Sequence, residues 1–390
     1  MSNGDTMKKI LGLLLSAMLL SGCQGKALSK YTMTATDIGF DTVVSFTAYT
    51  ENETAFNQYS QELKKQFRYY DRLFDKYNSY DGVNNIKTIN DNAGKQAVKV
   101  EPVIIDLLKL SKAYDTISDH RFDITMGSVL NIWHDYREAG TLANQKDEES
   151  SIPSMKELKE AQRHSGWKHV QIDEKKSTVY IDDARVSLDV GGVAKGYAVE
   201  LIAEQLQKDG LQHAILNGGG NIRLIGDKPE DEAWSVGIQI PNLKAQATDS
   251  LISVKSKGNI SFVTSGDYQR YYTYKGQIMH HIIDPLTLMP ARHSRAVTVI
   301  TDNSGIADIL STTLYTMSHA DGVKLLDKLN KEEGIQANAI WVYDDIQKPE
   351  DGTEAISVKG YQIVFSDGLK DKIKKKLTQQ HLYNQEVIPL

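Results

Sequence analysis

Residues Leu188 to Ala198 read Leu-Asp-Val-Gly-Gly-Val-Ala-Lys-Gly-Tyr-Ala: a β-branched approach breaks at two glycines and runs straight into an amphipathic helix carrying Lys195 in its first turn. Any fold containing this junction must turn sharply from strand to helix and leave the helix N-terminus accessible. Gly191 and Gly192 remove side chains where the backbone bends, and the positive end of the helix favours an anion there. Lys195 adds a point charge. The unit is a candidate phosphate seat. Its spacing fits neither Gly-x-x-x-x-Gly-Lys-Ser/Thr nor Gly-x-Gly-x-x-Gly, which sets aside ordinary P-loop and Rossmann readings. Taken alone, the segment also reads as a plain strand-to-helix turn with a solvated lysine.

The N-terminus is an address label. Lys8 and Lys9 precede an apolar run from Ile10 to Leu20, too short for a mature membrane span and fitting a signal-peptide core. Leu20-Ser21-Gly22-Cys23 closes it as a lipobox, so residues 1–22 read as a lipoprotein signal peptide and Cys23 as the lipidated new N-terminus. A secretory signal followed by a chance cysteine is the alternative. With Cys23 as the single cysteine, the chain cannot lean on disulfides and must be held by its core. Residues 23–36 are polar and small and read as a lipid-anchored tether, which places the protein on the extracytoplasmic face of the cell membrane. A net charge of -6 argues against nucleic acid as a partner. The lysine-rich run from Lys370 to Lys376 reads as the solvated side of a last helix.

With hydrophobic residues at 40%, the chain can fill one large domain or two intimately joined ones. Asp41 to Thr50 alternates as a strand, while Ala55 to Phe74 and Val103 to Ile117 carry apolar residues at helical spacing. Gly140 to Ser154 is charged and polar and reads as an exposed loop that would tolerate an insertion. From Lys168 onward short β-rich runs dominate: His169 to Ile172, Thr178 to Ile181, Ala214 to Leu216, Ser235 to Ile240, Ile252 to Val254, Ser261 to Thr264 and Ala296 to Ile300. They are punctuated by single helices at Val193 to Gln207 and Ile306 to Met317. Many strands with few interleaved helices predict an α+β fold with antiparallel sheet and helices packed on one side.

Further blocks accompany the glycine turn: Thr264-Ser265-Gly266-Asp267-Tyr268, His280-His281-Ile282-Ile283-Asp284-Pro285 and Ala307-Asp308-Ile309-Leu310-Ser311-Thr312. Arg121-Phe122-Asp123-Ile124-Thr125, Leu130 to Trp133 and Leu216-Asn217-Gly218-Gly219-Gly220-Asn221-Ile222 complete the set. In order and spacing these blocks resemble the ApbE family of FAD:protein FMN transferases, over roughly residues 37 to 370. The resemblance implies one catalytic domain, taken here as residues 37–383, with FAD as substrate, Mg²⁺ as cofactor and an exported acceptor protein carrying the flavinylated threonine or serine.

Asp308 and Thr312 lie four apart on a predicted helix, which puts carboxylate and hydroxyl on one face. Such oxygen ligands suit Mg²⁺, although a dipole-stabilised carboxylate and a backbone-bonded threonine would look the same in sequence. The resemblance places both at magnesium-ligand positions, with the backbone carbonyl of Gly192 as a further ligand. His281 is the best base among ten histidines and matches the family's catalytic histidine. His280 should point the other way along the strand, and Asp284 either orients the imidazole or shapes the turn at Pro285. Ile38, Tyr77, Arg121, Phe122, Asp123, Asp189, Lys195 and Ile283 match positions that touch the flavin nucleotide. There are departures. Ile38-Gly39 stands for Met-Gly-Thr, Asp75-Lys76 precedes Tyr77 in place of Ser-Thr, and Leu288 replaces the glycine that ends Asp-Pro-x-Thr-Gly, so the turn after Asp284 should differ. The competing readings are an FAD pyrophosphatase giving FMN and AMP, a flavin-binding lipoprotein that never cleaves FAD, and a two-lobed substrate-binding lipoprotein of a transporter.

Overall fold

A computed structural model describes residues 27–242, 249–347, 349, 351–369 and 387–389. The signal peptide, Cys23 and the Lys370 to Lys376 run lie outside the described residues. The frame is a nine-stranded sheet whose strands, in chain order, are β1 (Ser29–Ala35), β2 (Val44–Thr50), β3 (Ala214–Gly218), β4 (Asn221–Ile225), β5 (Ser261–Gly266), β6 (Ala296–Thr301), β7 (Asn338–Asp344), β8 (Ile356–Val358) and β9 (Tyr361–Phe365). They lie in the order β1-β2-β3-β4-β5-β6-β7-β9-β8, and every neighbouring pair is antiparallel.

Central strand β6 shows why the sheet is covered twice. All six of its residues are buried: Val297 and Val299 join the core beneath the helices, while Ala296 and Ile300 join a second core with Trp234, Val236 and Val254. The second core is roofed by a small sheet of Trp234–Gln239, Ser250–Ser256 and Val387–Pro389. A strand buried on both faces has no polar side to alternate, so its sequence is a near-continuous apolar run.

The helices are α1 (Glu53–Phe74), α2 (Ile86–Asp91), α3 (Pro102–Ile117), α4 (Gly127–Gln145), α5 (Met155–Gln162), α6 (Ala194–Lys208), α7 (Ser304–Tyr315) and α8 (His319–Glu332). Helix α7 starts where the Asn303 side chain accepts the Ile306 N–H at 2.9 Å, a cap that satisfies one of the helix's free donors. It lies against β5 and β6 and is buried along almost its whole length, leaving Ile306 and Thr312 half-buried. Helix α6 crosses α7 closely at Gly196, where an added Cβ would run into the Ser304 carbonyl and come within 2.5 Å of Asp308 Cβ. Only glycine permits that approach.

Three expectations need correcting. Ser29–Ala35 is not tether but the edge strand β1, paired along its length with β2; Tyr31, Met33 and Ala35 alternate inward among polar neighbours and pack toward the core under α1. The expected strand from Asp41 begins at Val44, because Phe40 and Asp41 take left-handed backbone angles of 58° and 46°. Gly140 to Ser154 is not a free loop. Its first part completes α4, Gly140 admits no Cβ against the Tyr272 ring, and Asn144 and Ser150 both donate to the Thr273 carbonyl at 3.0 and 2.6 Å. A two-lobed transporter protein is also excluded by the single antiparallel frame.

Candidate active site

The twin-glycine turn sits against α7. Val193 and Ala194 N–H both donate to the Val190 carbonyl, at 3.0 and 2.8 Å, which tightens the turn into α6. Neither Gly191 nor Gly192 has a positive φ, so close approach, not backbone conformation, calls for glycine. A Cβ on Gly192 would lie 3.1 Å from the Phe122 ring and 3.5 Å from Thr312 Oγ1.

Asp308 lies beneath this turn. Its Oδ2 accepts the Gly196 N–H at 2.8 Å, and Thr312, one helical turn on, has its hydroxyl 3.3 Å from that of Ser265. Burial pushes the Asp308 carboxyl above the usual carboxylate range, and Lys195 opposes the rise. Burial likewise pulls the Lys195 ammonium down, with Asp308 opposing and Arg270 adding repulsion. Each ion is short of solvation and only partly compensated by the other. An Asp carboxylate, a Thr hydroxyl and the Gly192 backbone form an oxygen-rich set suited to a hard divalent cation such as Mg²⁺. Among the described residues no group of three or more His, Cys, Asp or Glu could hold a metal ion.

His281 follows a hairpin of Tyr271–Tyr274 and Gln277–His280. Its backbone N–H donates to the Arg270 carbonyl at 3.1 Å, and its Nδ1 is buried with no hydrogen-bond partner. Burial, then His280 and the cationic Arg270 and Arg137, push the imidazole down to about 3, so the ring is neutral near pH 7. His280 does point away. Its Nδ1 accepts the Ile282 N–H at 3.2 Å, which leaves Nε2 to donate to the Ala291 carbonyl at 2.7 Å. Asp284 shapes the turn instead of orienting His281: it accepts the Leu286 N–H at 2.9 Å and the Thr287 hydroxyl at 3.0 Å. That turn keeps the geometry a glycine would give. Leu288 adopts φ 60°, anchored by its N–H to the Asp284 carbonyl at 2.8 Å and by Trp133 Nε1, which donates to its carbonyl at 2.8 Å.

The expected nucleotide contacts divide into two groups. Asp189 is paired with Lys76 at 2.6 Å and accepts the Gly191 N–H at 2.9 Å. Burial opposes its ionisation, but Lys76 holds the carboxyl below its ordinary range. Tyr77 is 56% exposed beside His134, with ring centroids 5.3 Å apart. Lys76, Tyr77 and His134 open onto a cleft of roughly 640 Å³ also lined by Asn131 and Ser187. Arg121 donates to the Thr316 carbonyl at 3.1 Å and stands 3.7 Å from Asp284, while Asp123 accepts both the N–H and the hydroxyl of Thr125. By contrast Ile38 is fully buried, and Phe122 and Ile283 nearly so, each inside a hydrophobic cluster. As a wall for a ligand, the Ile38 side chain offers no free surface. Lys76, Arg137, His134 and Arg270 were missed in sequence as site residues. Only Lys76 left a signal, as a charged residue where the resembling family has a small polar one.

The ApbE family model matches residues 40–337. The chain belongs to the ApbE family. An ApbE-family relative from Haemophilus influenzae, an FAD:protein FMN transferase, is 27% identical over 341 residues, covering 83% of this chain and 92% of its own. The crystal structure of an ApbE protein from Thermotoga maritima superposes with a TM-score of 0.69 at 26% identity, covering 88% of this chain and 98% of that one. A flavin transferase ApbE from Vibrio cholerae, at 20% identity and a TM-score of 0.66, shares the ApbE fold.

Proposed function

We infer that this chain is an FAD:protein FMN transferase: it takes FAD and an acceptor protein, joins FMN to an acceptor hydroxyl through a phosphoester and releases AMP. The observation that carries the reading is the convergence, on an ApbE fold, of Gly192, Lys195, Asp308 and Thr312 at one helix N-terminus, with Arg270 in electrostatic range of both Lys195 and the neutral His281. A diphosphate is doubly anionic, and the residues around α6 are suited to bind it: backbone donors at a helix start and the Lys195 ammonium. Asp308, Thr312 and the Gly192 carbonyl would hold Mg²⁺, which when bound supplies positive charge to the diphosphate oxygens.

In the transfer, the His281 imidazole takes the proton of the acceptor threonine as its Oγ bonds to the FMN phosphorus. The bond from that phosphorus to the bridging oxygen breaks, and the oxygen leaves on AMP. The low proton affinity of His281 rises once a bound anion offsets Arg270 and Arg137. The decisive experiment incubates the protein with FAD, Mg²⁺ and an exported acceptor and follows AMP by chromatography and FMN addition by mass. AMP without acceptor modification would make it an FAD pyrophosphatase; bound FAD with no AMP would make it a flavin carrier.

Lipidation at Cys23 and a place on the extracytoplasmic membrane face belong to the same proposal, supported by the lipobox. Cys23→Ala should release the protein from the membrane fraction.

A further inference from the structure

Serine and threonine inside a helix ordinarily bond back to the carbonyls of the preceding turn. At the end of α7 three of them do so: Ser311 donates to the Asp308 carbonyl at 3.0 Å, Thr313 to the Ile309 carbonyl at 2.8 Å, and Thr316, just past the last turn, to the Thr313 carbonyl at 2.8 Å. Thr312 differs. Its Oγ1 turns to the neighbouring strand β5 and lies 3.3 Å from the Ser265 hydroxyl, which is itself 2.8 Å from the Ser311 hydroxyl.

Three hydroxyls and one carbonyl therefore form a chain, and counting hydrogens fixes its direction. Each hydroxyl has a single hydrogen to donate. The Asp308 carbonyl can only accept, so the Ser311 hydrogen goes there. Ser265 must then donate to Ser311, and Thr312 must donate to Ser265. No other assignment makes all three contacts hydrogen bonds. Ser311 is fully buried and Ser265 is 9% exposed, so these groups depend on one another for partners. With its hydrogen turned to Ser265, Thr312 Oγ1 offers only lone pairs elsewhere, and Gly192 is on hand: a Cβ built there would lie 3.5 Å from this oxygen.

We propose that Ser265 and Ser311 are positioning residues that preset the Thr312 hydroxyl as a pure electron-pair donor to a hard divalent cation. The inference rests on the reading of Asp308 and Thr312 as cation ligands. Neither serine touches the ion in this scheme. Each acts through Thr312, as partners behind a metal ligand fix its orientation, and losing such a partner typically weakens metal binding 10–100-fold.

The test titrates the full chain with Mn²⁺ alone, following the free ion by electron paramagnetic resonance, so that no turnover is needed. Ser265→Ala strands the Thr312 hydrogen and should weaken Mn²⁺ binding about tenfold, whereas Ser265→Thr keeps the hydroxyl and should bind as the parent does. Ser311→Ala leaves Ser265 without an acceptor, so its hydrogen competes for Thr312, and binding should weaken about threefold although Ser311 contacts the threonine only through Ser265. The double variant should be no weaker than Ser265→Ala, because Ser311 has nothing left to act through. In turnover, Ser265→Ala should need about tenfold more Mg²⁺ for half-maximal AMP release and recover its rate at saturating Mg²⁺, which structural damage would not allow. Parental Mn²⁺ affinity in Ser265→Ala, additive losses in the double variant, or a parent that binds no Mn²⁺ would each overturn the proposal. Ser311→Ala replaces a helical serine with a better helix former, so it decides the matter even if Ser265→Ala does not fold. A parent that binds Mn²⁺ but releases no AMP would sink the transferase reading and leave the hydroxyl chain to be judged by the titrations.

Discussion

Leu288 offers a measurable contest between strain and packing at the edge of the active site. Its φ of 60° places an L side chain in the left-handed region, which costs roughly 1–2 kcal/mol relative to glycine. Its side chain is 2% exposed and packs with Met126, Val129, Trp133, Leu158 and Ile283, and truncating a buried leucine to alanine costs about 2–5 kcal/mol. Packing should therefore win. Leu288→Gly relieves the strain but loses the contacts and adds unfolded-chain entropy, for a net destabilisation of about 1–4 kcal/mol. Leu288→Ala loses nearly the same contacts and keeps the strain, so it should be less stable than the glycine variant by about 1 kcal/mol. Urea titration followed by tryptophan fluorescence is the assay, with Trp133 as local reporter through its bond to the Leu288 carbonyl at 2.8 Å. A glycine variant more stable than the parent would show that the side chain contributes little. An alanine variant as stable as the glycine one would show that the turn carries no strain.

Other substitutions separate chemistry from scaffold. Asp308→Asn keeps an acceptor for the Gly196 N–H but removes the charge, and should lower AMP release by about 10²-fold or more with the fold retained, checked by circular dichroism and by Mg²⁺ titration. His281→Ala should bind FAD in equilibrium dialysis yet transfer FMN about 10²–10⁴-fold more slowly; a normal rate would remove the imidazole from the mechanism. The ring is held at about 3 in the folded protein, so between that value and its unfolded range near 6.5 the unfolded chain binds more protons, and stability contributed by the neutral ring is lost as pH falls through this window. Compared with the parent, His281→Gln should show a shallower loss of stability between pH 6.5 and about 4. Glu200→Gln breaks a buried pair with Arg223 at 2.8 Å and weakens the acceptor of the Ser304 N–H at the start of α7, and should cost about 3–5 kcal/mol in denaturant titration.

How much of this was readable from residues depends on how local each determinant is. The α6 start and the one-turn spacing of Asp308 and Thr312 follow from spacing along single elements, and both lie on helices in the structure. The α+β class with antiparallel sheet follows from the β-rich second half. Strand β1 escaped because its inward residues, Tyr31, Met33 and Ala35, alternate within a polar run whose partner strand begins only at Val44. The polar composition of Gly140 to Ser154 concealed its attachment because the attachment is to distant Tyr272 and Thr273. The Leu288 turn was misread for another reason: the sequence shows the absence of glycine, but not the tertiary bonds from Asp284 and Trp133 that hold leucine in a glycine conformation.

The same distinction explains the charges. Sequence supplies Lys195 and Asp308 as separate ions 113 positions apart, but their behaviour is set by burial that only the crossing of α6 and α7 creates. That crossing needs Gly196, and it strips water from the carboxylate and the ammonium together. Both are then pushed toward their neutral forms, and His281 is held neutral by the same exclusion reinforced by Arg270 and Arg137. The protein groups alone leave two electrostatic deficits: Arg270 and Arg137 act on the base as cations, and the buried acid is under-solvated beside a hydroxyl. A diphosphate with its counter-cation answers both deficits at once, adding anionic charge near Lys195 and positive charge near Asp308. Preorganisation of this type strengthens electrostatic binding because the protein dipoles and ions need not rearrange when the ligand arrives. Its cost falls on the stability of the unliganded fold, which is why Glu200, Arg223 and the Asn303 cap, all anchoring α7 from outside the site, belong to the same functional design as the residues that face the nucleotide.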